Sequence, residues 1–264
     1  MIGASMIALA ALVYLPRPAI AIVAVAIIAG HNLLDGIRAD DLGSARWVWY
    51  FLHQPGLVRL GNGTSIFVLY PLLPWIGVMA AGYALGPVMQ LDPEVRGRWL
   101  LRLGAAITAG FFLLRATNLY GDPAPWTMQE TWSATLLSLL NCEKYPPSLL
   151  FLMMTLGPAL LLLAAFENVR GRVAQWLTTF GRVPFFFYVT HIYLIHGLAV
   201  GFALAISPAP SSPSGHLSPE TPAIALSLAG VYLVWLLVLI LLYPLCRWFA
   251  ALKQRSTEWW WSYV

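Results

Sequence analysis

The sequence predicts an all-α fold, a polytopic membrane helical bundle with about seven membrane segments. Hydrophobic residues make up 59% of the 264 residues, and only 10% of the residues are charged. Soluble domains contain about 25% charged residues, so the composition indicates an integral membrane protein. The net charge of +4 comes from short basic clusters between apolar runs. This pattern argues against nucleic-acid binding and indicates orientation in a lipid bilayer.

Seven apolar segments follow one another along the chain. They lie near residues 1–15, 19–35, 64–86, 98–118, 147–167, 183–206 and 222–246. The first two are short for a span and are separated by Pro16 and Pro18, so they form either two spans or one broken, re-entrant unit. In the third, Pro71 and Pro74 each remove a backbone donor, which predicts a helix kink beside an interior cavity.

Basic residues fall on every second connection between the last five spans. Arginine and lysine cluster near 87–102, near 168–182 and in the C-terminal tail, whereas 119–146 has one lysine and 207–221 has neither lysine nor arginine. The positive-inside rule therefore places the C-terminus in the cytoplasm and the segment 36–63 on the outer face.

The remaining segments predict interfacial or loop structure. ARWVWYFLHQPG, at 45–56, predicts a short interfacial helix, the Pro/Ser-rich connection 207–221 predicts a mobile loop, and the tail EWWWSYV predicts an aromatic anchor. Gly82 and Gly86, one helical turn apart, predict close helix packing. We find no internal repeat, so we predict a single transmembrane domain over 1–264. Its N-terminus resembles the middle of a longer membrane protein, and we expect upstream spans to be missing.

Two histidines lie in the sixth apolar segment, within GRVPFFFYVTHIYLIHGLAVG. An ionisable residue in a membrane segment is costly and usually faces a bundle interior or a wet cavity, which makes His191 and His196 candidates for a functional site. Five residues apart on a helix, the two rings point about 140° away from each other. We expect one to face a cavity and the other to pack against a neighbouring helix. The alternative is that both are core residues.

The motif GHNLLDG closes the second apolar segment. Its His31 and Asp35 are four residues apart and share one side of a helix if the helix continues that far. A carboxylate beside an imidazole raises its basicity and fixes its tautomer, as a general base or a group-transfer histidine requires. The alternative is a capped helix end with a local hydrogen bond. A metal site is not favoured, because no ligand spacing recurs around His53 and the nearby acidic residues.

Polar residues at the outer ends of two spans are candidates for substrate binding. Lys144 and Tyr145 precede the fifth span, where the lysine either meets an anionic substrate group or extends to the lipid headgroups. Arg115 and Asn118 lie near the end of the fourth span. The arginine there either extends to the headgroups or pairs inside the bundle with an acidic residue such as Glu143.

Arginines on the inner connections are candidates for binding an anionic cofactor. Arg96, Arg98 and Arg172 could hold the phosphates of a coenzyme, although the positive-inside bias alone also accounts for them. The sequence contains no phosphate-cradling glycine loop and no GxSxG, HExxH or Walker pattern.

Four blocks together carry a resemblance to a known family. GHNLLDGI, GTSIFVLYPLLPWIGVMAAGYALG, EKYPPSLLFLMMTLGPALLLL and GRVPFFFYVTHIYLIHGLA resemble bacterial relatives of the heparan-α-glucosaminide N-acetyltransferase catalytic domain, and the likeness covers nearly the whole chain. The resemblance implies an enzyme of the bacterial inner membrane. It also implies transfer of an acetyl group from cytosolic acetyl-coenzyme A to a glucosamine-type amine on the far side.

The resemblance also implies site residues. Tyr188 and His191 match the family's Tyr-x-x-His in a late span, His31 with Asp35 matches its His-Asn-x-x-Asp, and Lys144 matches its helix entry. The chain departs from the family in one respect. It has no counterpart of the Asp-x-x-Arg-Gly motif and of the following histidine that is the expected acetyl carrier, which implies a truncated chain or the loss of that step.

These observations predict a membrane acyltransferase in which His191 or His31 assists proton transfer. The expected partners are the lipid bilayer and a small-molecule or glycan substrate, and a homo-oligomer is compatible with the sequence. One alternative is a transporter or flippase for a small polar or glycan substrate, whose path the same polar groups would line. The other alternative is a non-catalytic membrane scaffold.

Overall fold

A computed structural model of the protein describes residues 1–61, 63–167, 169–206, 227–256, 258 and 261. The described residues form ten α-helices and one two-stranded antiparallel sheet, and the predicted all-α fold class is confirmed. Whereas the sequence predicts one domain, the chain divides into two compact units, Met1–Asn168 and Val169–Val264.

The first unit contains seven α-helices and the sheet. The helices are α1 (Ile2–Leu12), α2 (Arg17–Gly30), α3 (Arg46–Leu52), α4 (Leu73–Met89), α5 (Pro93–Thr117), α6 (Trp132–Leu140) and α7 (Leu149–Phe166). Strands β1 (Gly56–Gly61) and β2 (Thr64–Val68) lie between α3 and α4, and short 3-10 helices cover His31–Leu34 and Ala39–Ala45. Helix α3 lies within the stretch 45–56, where the sequence predicts a short helix, and the segments 1–15 and 19–35 form two separate helices.

The second unit contains α8 (Arg172–Arg182), α9 (Pro184–Ile206) and α10 (Leu228–Arg255). Its core is apolar, and the ring of Phe186 stacks on that of Phe249 with centroids 4.2 Å apart. The buried core residues are Val183, Val238, Leu242, Cys246 and Ala250. The predicted mobile loop 207–221, the start of the segment 222–246 and most of the aromatic tail lie outside the described residues.

Five helical stretches of the described chain are long and apolar enough to cross a membrane. They are Arg17–Leu34, Pro93–Thr117, Leu149–Phe166, Pro184–Phe202 and Leu228–Arg255. Helices α1 and α4 are apolar but shorter. All seven predicted segments therefore contain a helix, and five of those helices reach the length of a membrane span. This architecture is that of an integral membrane protein.

The third predicted segment, 64–86, differs most from the prediction. Its first five residues form β2, which pairs with β1, and α4 begins only at Leu73. Pro71 precedes the helix and Pro74 lies in its first turn. Amide groups in a first turn have no intrahelical acceptor, so a proline there leaves the helix straight. The predicted kink at these two prolines is wrong.

Glycines allow two pairs of helices in the first unit to approach closely. A Cβ atom on Gly104 of α5 would lie 2.9 Å from the carbonyl oxygen of Gly157 in α7, and one on Gly77 of α4 would lie 2.9 Å from a side chain of α2. By contrast, Gly82 and Gly86 have no atom within 4 Å of such a position. Small residues do allow close helix packing here, but Gly82 and Gly86, the predicted pair, do not lie at such a contact.

Candidate functional site

The site is built first from the residues that follow α2. The α-helix ends at Gly30, and His31–Leu34 continue as a 3-10 helix before the chain turns at Asp35. His31 is 2% exposed and Asn32 is 9% exposed. The predicted hydrogen bond between His31 and Asp35 is wrong, because neither ring nitrogen of His31 has a partner in the described part of the chain and the carboxylate of Asp35 bonds to Asn32 and His53 instead.

A third residue, His53, completes what we call the His31–Asp35–His53 cluster. His53 follows α3 and is buried, and its Nε2 lies 2.9 Å from Oδ1 of Asp35. The rings of His31 and His53 meet edge to face with centroids 5.9 Å apart. One nitrogen or oxygen from each of the three residues lies within 4.8 Å of the other two. The fold thus brings together two imidazoles and a carboxylate.

Asn32 fixes the carboxylate of this cluster. Its Nδ2 donates to Oδ2 of Asp35 at 2.8 Å, and its Oδ1 accepts the backbone N–H of Leu149 at 2.8 Å. Burial alone raises the pKa of Asp35, but the hydrogen bonds from His53 and Asn32 outweigh burial, so the pKa of this carboxyl is lower than usual. Asp35 is therefore held as a carboxylate that accepts from both neighbours.

Three ring nitrogens of the cluster have no hydrogen-bond partner in the described part of the chain. They are both nitrogens of His31 and Nδ1 of His53. Buried polar atoms in folded proteins are almost always hydrogen-bonded. These three nitrogens make the cluster a candidate for accepting a proton or a ligand.

The cluster opens onto a pocket of about 510 Å³ in the first unit. Asp35 and His53 form one side of the pocket, and Asp40, Glu143 and Tyr145 contribute to the rest. The pocket thus combines three carboxylates with one guanidinium, that of Arg38, an imidazole and a phenol. The excess of carboxylates favours a cationic or hydroxyl-rich ligand.

The side chain of Asp122 positions the segment that supplies Glu143 and Tyr145. Its Oδ2 accepts the backbone N–H of Glu143 at 2.8 Å and the hydroxyl of Ser148 at 2.6 Å. The guanidinium of Arg115 lies 3.7 Å from Oδ1 of the same carboxylate. The segment before α7 is therefore held against the pocket by buried charged groups.

Arg115 and Asn118 have structural roles instead of the predicted substrate contacts. Arg115 is 1% exposed and pairs with Asp122, not with Glu143. Its guanidinium donates to the backbone carbonyls of Leu139, Ala124, Ser138 and Asn141. Asn118 donates to the carbonyl of Trp126 and accepts its N–H. Both residues use their polar atoms to shape the connection between α5 and α7, which leaves little capacity for a substrate.

Lys144 and Tyr145 lie where a substrate could meet them. Lys144 is exposed, and its Nζ lies 5.3 Å from the centroid of the Tyr145 ring. Tyr145 lines the pocket and meets the ring of Tyr70 edge to face at 5.2 Å. Hydrogen bonds from Tyr70 and Lys144 make the pKa of Tyr145 lower than usual. Among the predicted substrate-binding residues, Tyr145 is the one that reaches the pocket.

The predicted cofactor-binding residues of the first unit differ in their surroundings. Arg96 forms a bidentate pair with Glu167 and donates to the carbonyls of Met89 and Leu91, whereas Arg98 is exposed. The hydrogen bond from Arg96 makes the pKa of Glu167 lower than usual. Because Arg96 is engaged within the protein, Arg98 is the better placed of the two to meet a phosphate.

Arg172 belongs to the second unit, where it lines a pocket of about 430 Å³. Arg182 and Arg247 line the same pocket, together with the aromatic side chains of Trp176 and Tyr243. Three guanidinium groups beside aromatic rings form a surface that can bind phosphate groups and stack on a planar base.

His191 and Tyr188 also belong to the second unit, on α9. The ring of His191 stacks on Phe187, and its Nδ1 lies 3.1 Å from the backbone carbonyl of that residue. A nitrogen that meets a carbonyl must carry the proton, so Nε2 is the free acceptor of the neutral ring. Tyr188 is 60% exposed, and its ring centroid lies 5.5 Å from that of His191. His196 is exposed.

The comparisons with known proteins agree with this description of the first unit. Residues 1–117 match a family model described as "Heparan-alpha-glucosaminide N-acetyltransferase, catalytic". No curated protein and no solved structure matches the chain. The matched range contains all three residues of the His31–Asp35–His53 cluster. Over residues 1–117, therefore, the predicted resemblance to the heparan-alpha-glucosaminide N-acetyltransferase catalytic domain is confirmed.

Proposed function

We propose that the protein is a membrane acetyltransferase that transfers an acetyl group from acetyl-coenzyme A to an amine or hydroxyl of a sugar. The family match supports the reaction class. The observation that carries the assignment to particular residues is the hydrogen-bonded pair Asp35 and His53, which lines a pocket containing two further carboxylates. The proposed location is the bacterial inner membrane, with the C-terminus in the cytoplasm.

The pocket is suited to the acceptor. Asp40 and Glu143 would attract an amino sugar through its ammonium group, and Tyr145 offers a flat surface and a hydroxyl for the sugar ring. An amine attacks only after it has lost its extra proton, so the site needs a base as well as an attractive charge.

The Asp35–His53 pair supplies that base. An ionised Asp35 accepts the Nε2–H of His53, which leaves the lone pair of Nδ1 to take a proton. The acceptor nitrogen or oxygen forms a bond to the acetyl carbonyl carbon while His53 takes its proton. The carbon–sulfur bond then breaks, and coenzyme A leaves as its thiolate.

The donor requires a separate anionic site. The pocket lined by Arg172, Arg182 and Arg247 in the second unit suits the phosphates of coenzyme A, and Trp176 suits its adenine ring. Arg98 in the first unit is a further candidate. In this proposal, His191 and Tyr188 assist proton transfer on the donor side, as the family resemblance implies.

The test is acetyl transfer by the full chain in lipid nanodiscs. Radiolabelled acetyl-coenzyme A is supplied with glucosamine, and labelled product and released thiol are both measured. We expect His53→Gln and Asp35→Asn to lower kcat by about 10²-fold or more, as the loss of a general base does. His191→Ala tests the donor side. The matched control is His196→Gln, an exposed histidine, which should keep the wild-type rate.

Two results would overturn the proposal. Wild-type rates in both His53→Gln and Asp35→Asn would remove the cluster from the mechanism. Uptake of labelled glucosamine into vesicles without its acetylation would instead support a transporter, whose substrate crosses the membrane unchanged.

A further inference from the structure

We propose that the His31–Asp35–His53 cluster is a binding site for a divalent transition-metal ion, Zn²⁺ in the first instance. Two imidazoles and one carboxylate are a ligand set that zinc accepts, and catalytic zinc sites use three protein ligands with a fourth position left open. The sequence did not favour a metal site, because the spacing of these residues follows no zinc motif. The fold, not the spacing, brings them together.

The geometry is close to that of a coordination sphere. One ligand atom from each residue lies within 4.8 Å of the other two. Atoms that share a zinc ion at bonds of about 2.0–2.1 Å lie about 3.4 Å apart. The three ligands therefore need to close by no more than about 1.4 Å, which small rotations of the side chains can supply.

The strongest argument for a bound metal ion comes from the unpartnered ring nitrogens of His31. The hydrogen bond between His53 and Asp35 satisfies the carboxylate and one ring nitrogen of His53 without an ion. His31 is 2% exposed, and neither of its ring nitrogens has a partner in the described parts of the chain. A cation held between His31 and the Asp35–His53 pair would satisfy one of those nitrogens.

The surroundings of Asp35 are those of a metal ligand. Asn32 donates to Oδ2 of Asp35 and leaves Oδ1 available, and Asn32 is itself fixed by the N–H of Leu149. Such hydrogen bonds orient the first ligand shell of metal sites. With an ion bound, Asp35 and His53 would coordinate it instead of each other.

The ion also has an entry path and an open position. Asp35 and His53 line the pocket, and the carboxylates of Asp40 and Glu143 outnumber the one guanidinium there, that of Arg38, so the lining attracts cations. A water or an acceptor hydroxyl could bind the ion from the pocket. The proposed acetyl transfer belongs to the ion-free cluster, because a His53 that coordinates an ion through Nε2 carries its proton on Nδ1 and cannot act as the base. Metal binding and acetyl transfer are measured separately, so the two proposals can fail separately.

The experiment measures metal binding, not activity. The full chain is purified in detergent with a tag that contains no histidine, stripped with EDTA and dialysed against limiting Zn²⁺. Metal content is then determined by mass spectrometry. We expect one zinc per chain, and Co²⁺ in place of Zn²⁺ should give the visible absorption of a coordinated ion. His31→Ala, Asp35→Asn and His53→Gln should each weaken binding at least about 10-fold.

Two controls separate a specific site from surface binding. His196→Ala removes an exposed histidine of the second unit and should keep one zinc per chain. Circular dichroism of each variant establishes whether it is folded. If His31→Ala does not fold, Asp35→Asn, which preserves the shape of the side chain, is used in its place. Less than one tenth of a zinc per wild-type chain would overturn the proposal. Equal binding by wild type and all folded cluster variants would overturn it as well.

Discussion

Arg115 shows how the first unit accommodates a charged side chain in its interior. Burying a guanidinium is unfavourable unless its donors and its charge are both satisfied. Four backbone carbonyls accept its hydrogen bonds, and Asp122 lies 3.7 Å away with none of its side chain exposed. The same Asp122 holds Glu143 and Ser148. One buried ion pair thus organises the segment that forms a side of the pocket.

Replacing Arg115 should therefore destabilise the protein strongly. Arg115→Met keeps the length of the side chain but leaves a buried carboxylate uncompensated, which typically costs about 3–5 kcal/mol. The measurement is a denaturant titration of the purified chain in detergent. Arg98→Met, at an exposed position on the same helix, is the control and should change the free energy of unfolding by about 0.5 kcal/mol or less. Equal effects of the two substitutions would contradict this role for Arg115.

At the scale of residues, the sequence predicted the part of the site whose residues lie close together in the chain. His31 and Asp35 are four residues apart, so helical geometry alone suggested that they meet. His53 lies 18 residues from Asp35, and Leu149 lies 117 residues from Asn32. No periodicity connects residues at such separations. The chain path between them decides these contacts. Asp122, the partner of Arg115, is only seven residues away but lies beyond the end of α5, where helical spacing no longer applies.

Among the elements, helices α5 and α7 of the first unit approach each other closely because glycines lie at their contact. A Cβ atom on Gly157 would lie 2.9 Å from the backbone nitrogen of Thr108 in α5, and one on Gly104 would approach the backbone of α7. Backbone atoms cannot move aside as a flexible side chain can. The short distance between these helices therefore depends on Gly104 and Gly157, which have no side chain at the contact.

Gly157→Ala should destabilise the chain, and Gly82→Ala should not. Forcing a methyl group into the packed contact should cost about 1–3 kcal/mol. Gly82 also lies within a helix, but it has open space around it, and alanine there should be neutral or stabilising by up to about 1 kcal/mol. Both variants can be compared by thermal unfolding in the same detergent. The assignment of the contact fails if Gly157→Ala is as stable as Gly82→Ala.

Hydropathy alone does not predict two other elements, strand β2 and helix α8. The run 64–86 is apolar throughout, and hydropathy does not separate a short strand followed by a 17-residue helix from one continuous span. The dipeptide Asn62-Gly63 between residues of high β-propensity is a hairpin signal that would have separated them. The segment 168–182 was likewise predicted to be a basic connection, but it contains helix α8.

For the whole molecule, the sequence predicts an orientation as well as a fold. The five long apolar helices are present, and the positive-inside rule assigns 119–146 to the outer face and 87–97 to the cytoplasm. Composition was sufficient for the fold class because the lipid environment restricts an apolar chain of this kind to helices. The two-unit arrangement could not be predicted, since every span has similar hydropathy.

Labelling of single cysteines should reveal this orientation. In a chain with Cys142→Ser and Cys246→Ser, Met128→Cys is expected to react with a membrane-impermeant maleimide in intact spheroplasts. Gln90→Cys should react only after permeabilisation. The native Cys142 is a poor probe, because burial raises its pKa to about 11 and keeps it as a thiol. The reverse pattern of labelling would invert the topology and place the cluster on the cytoplasmic side.

The amide of Asn32 connects the cluster to the beginning of α7. This one planar group accepts the first backbone N–H of α7 with its oxygen and donates to Asp35 with its nitrogen. Rotation of the amide cannot release one partner while keeping the other. The beginning of α7 and the carboxylate are therefore mechanically coupled, and a displacement of that helix end would be felt at the carboxylate without any relay of intervening residues.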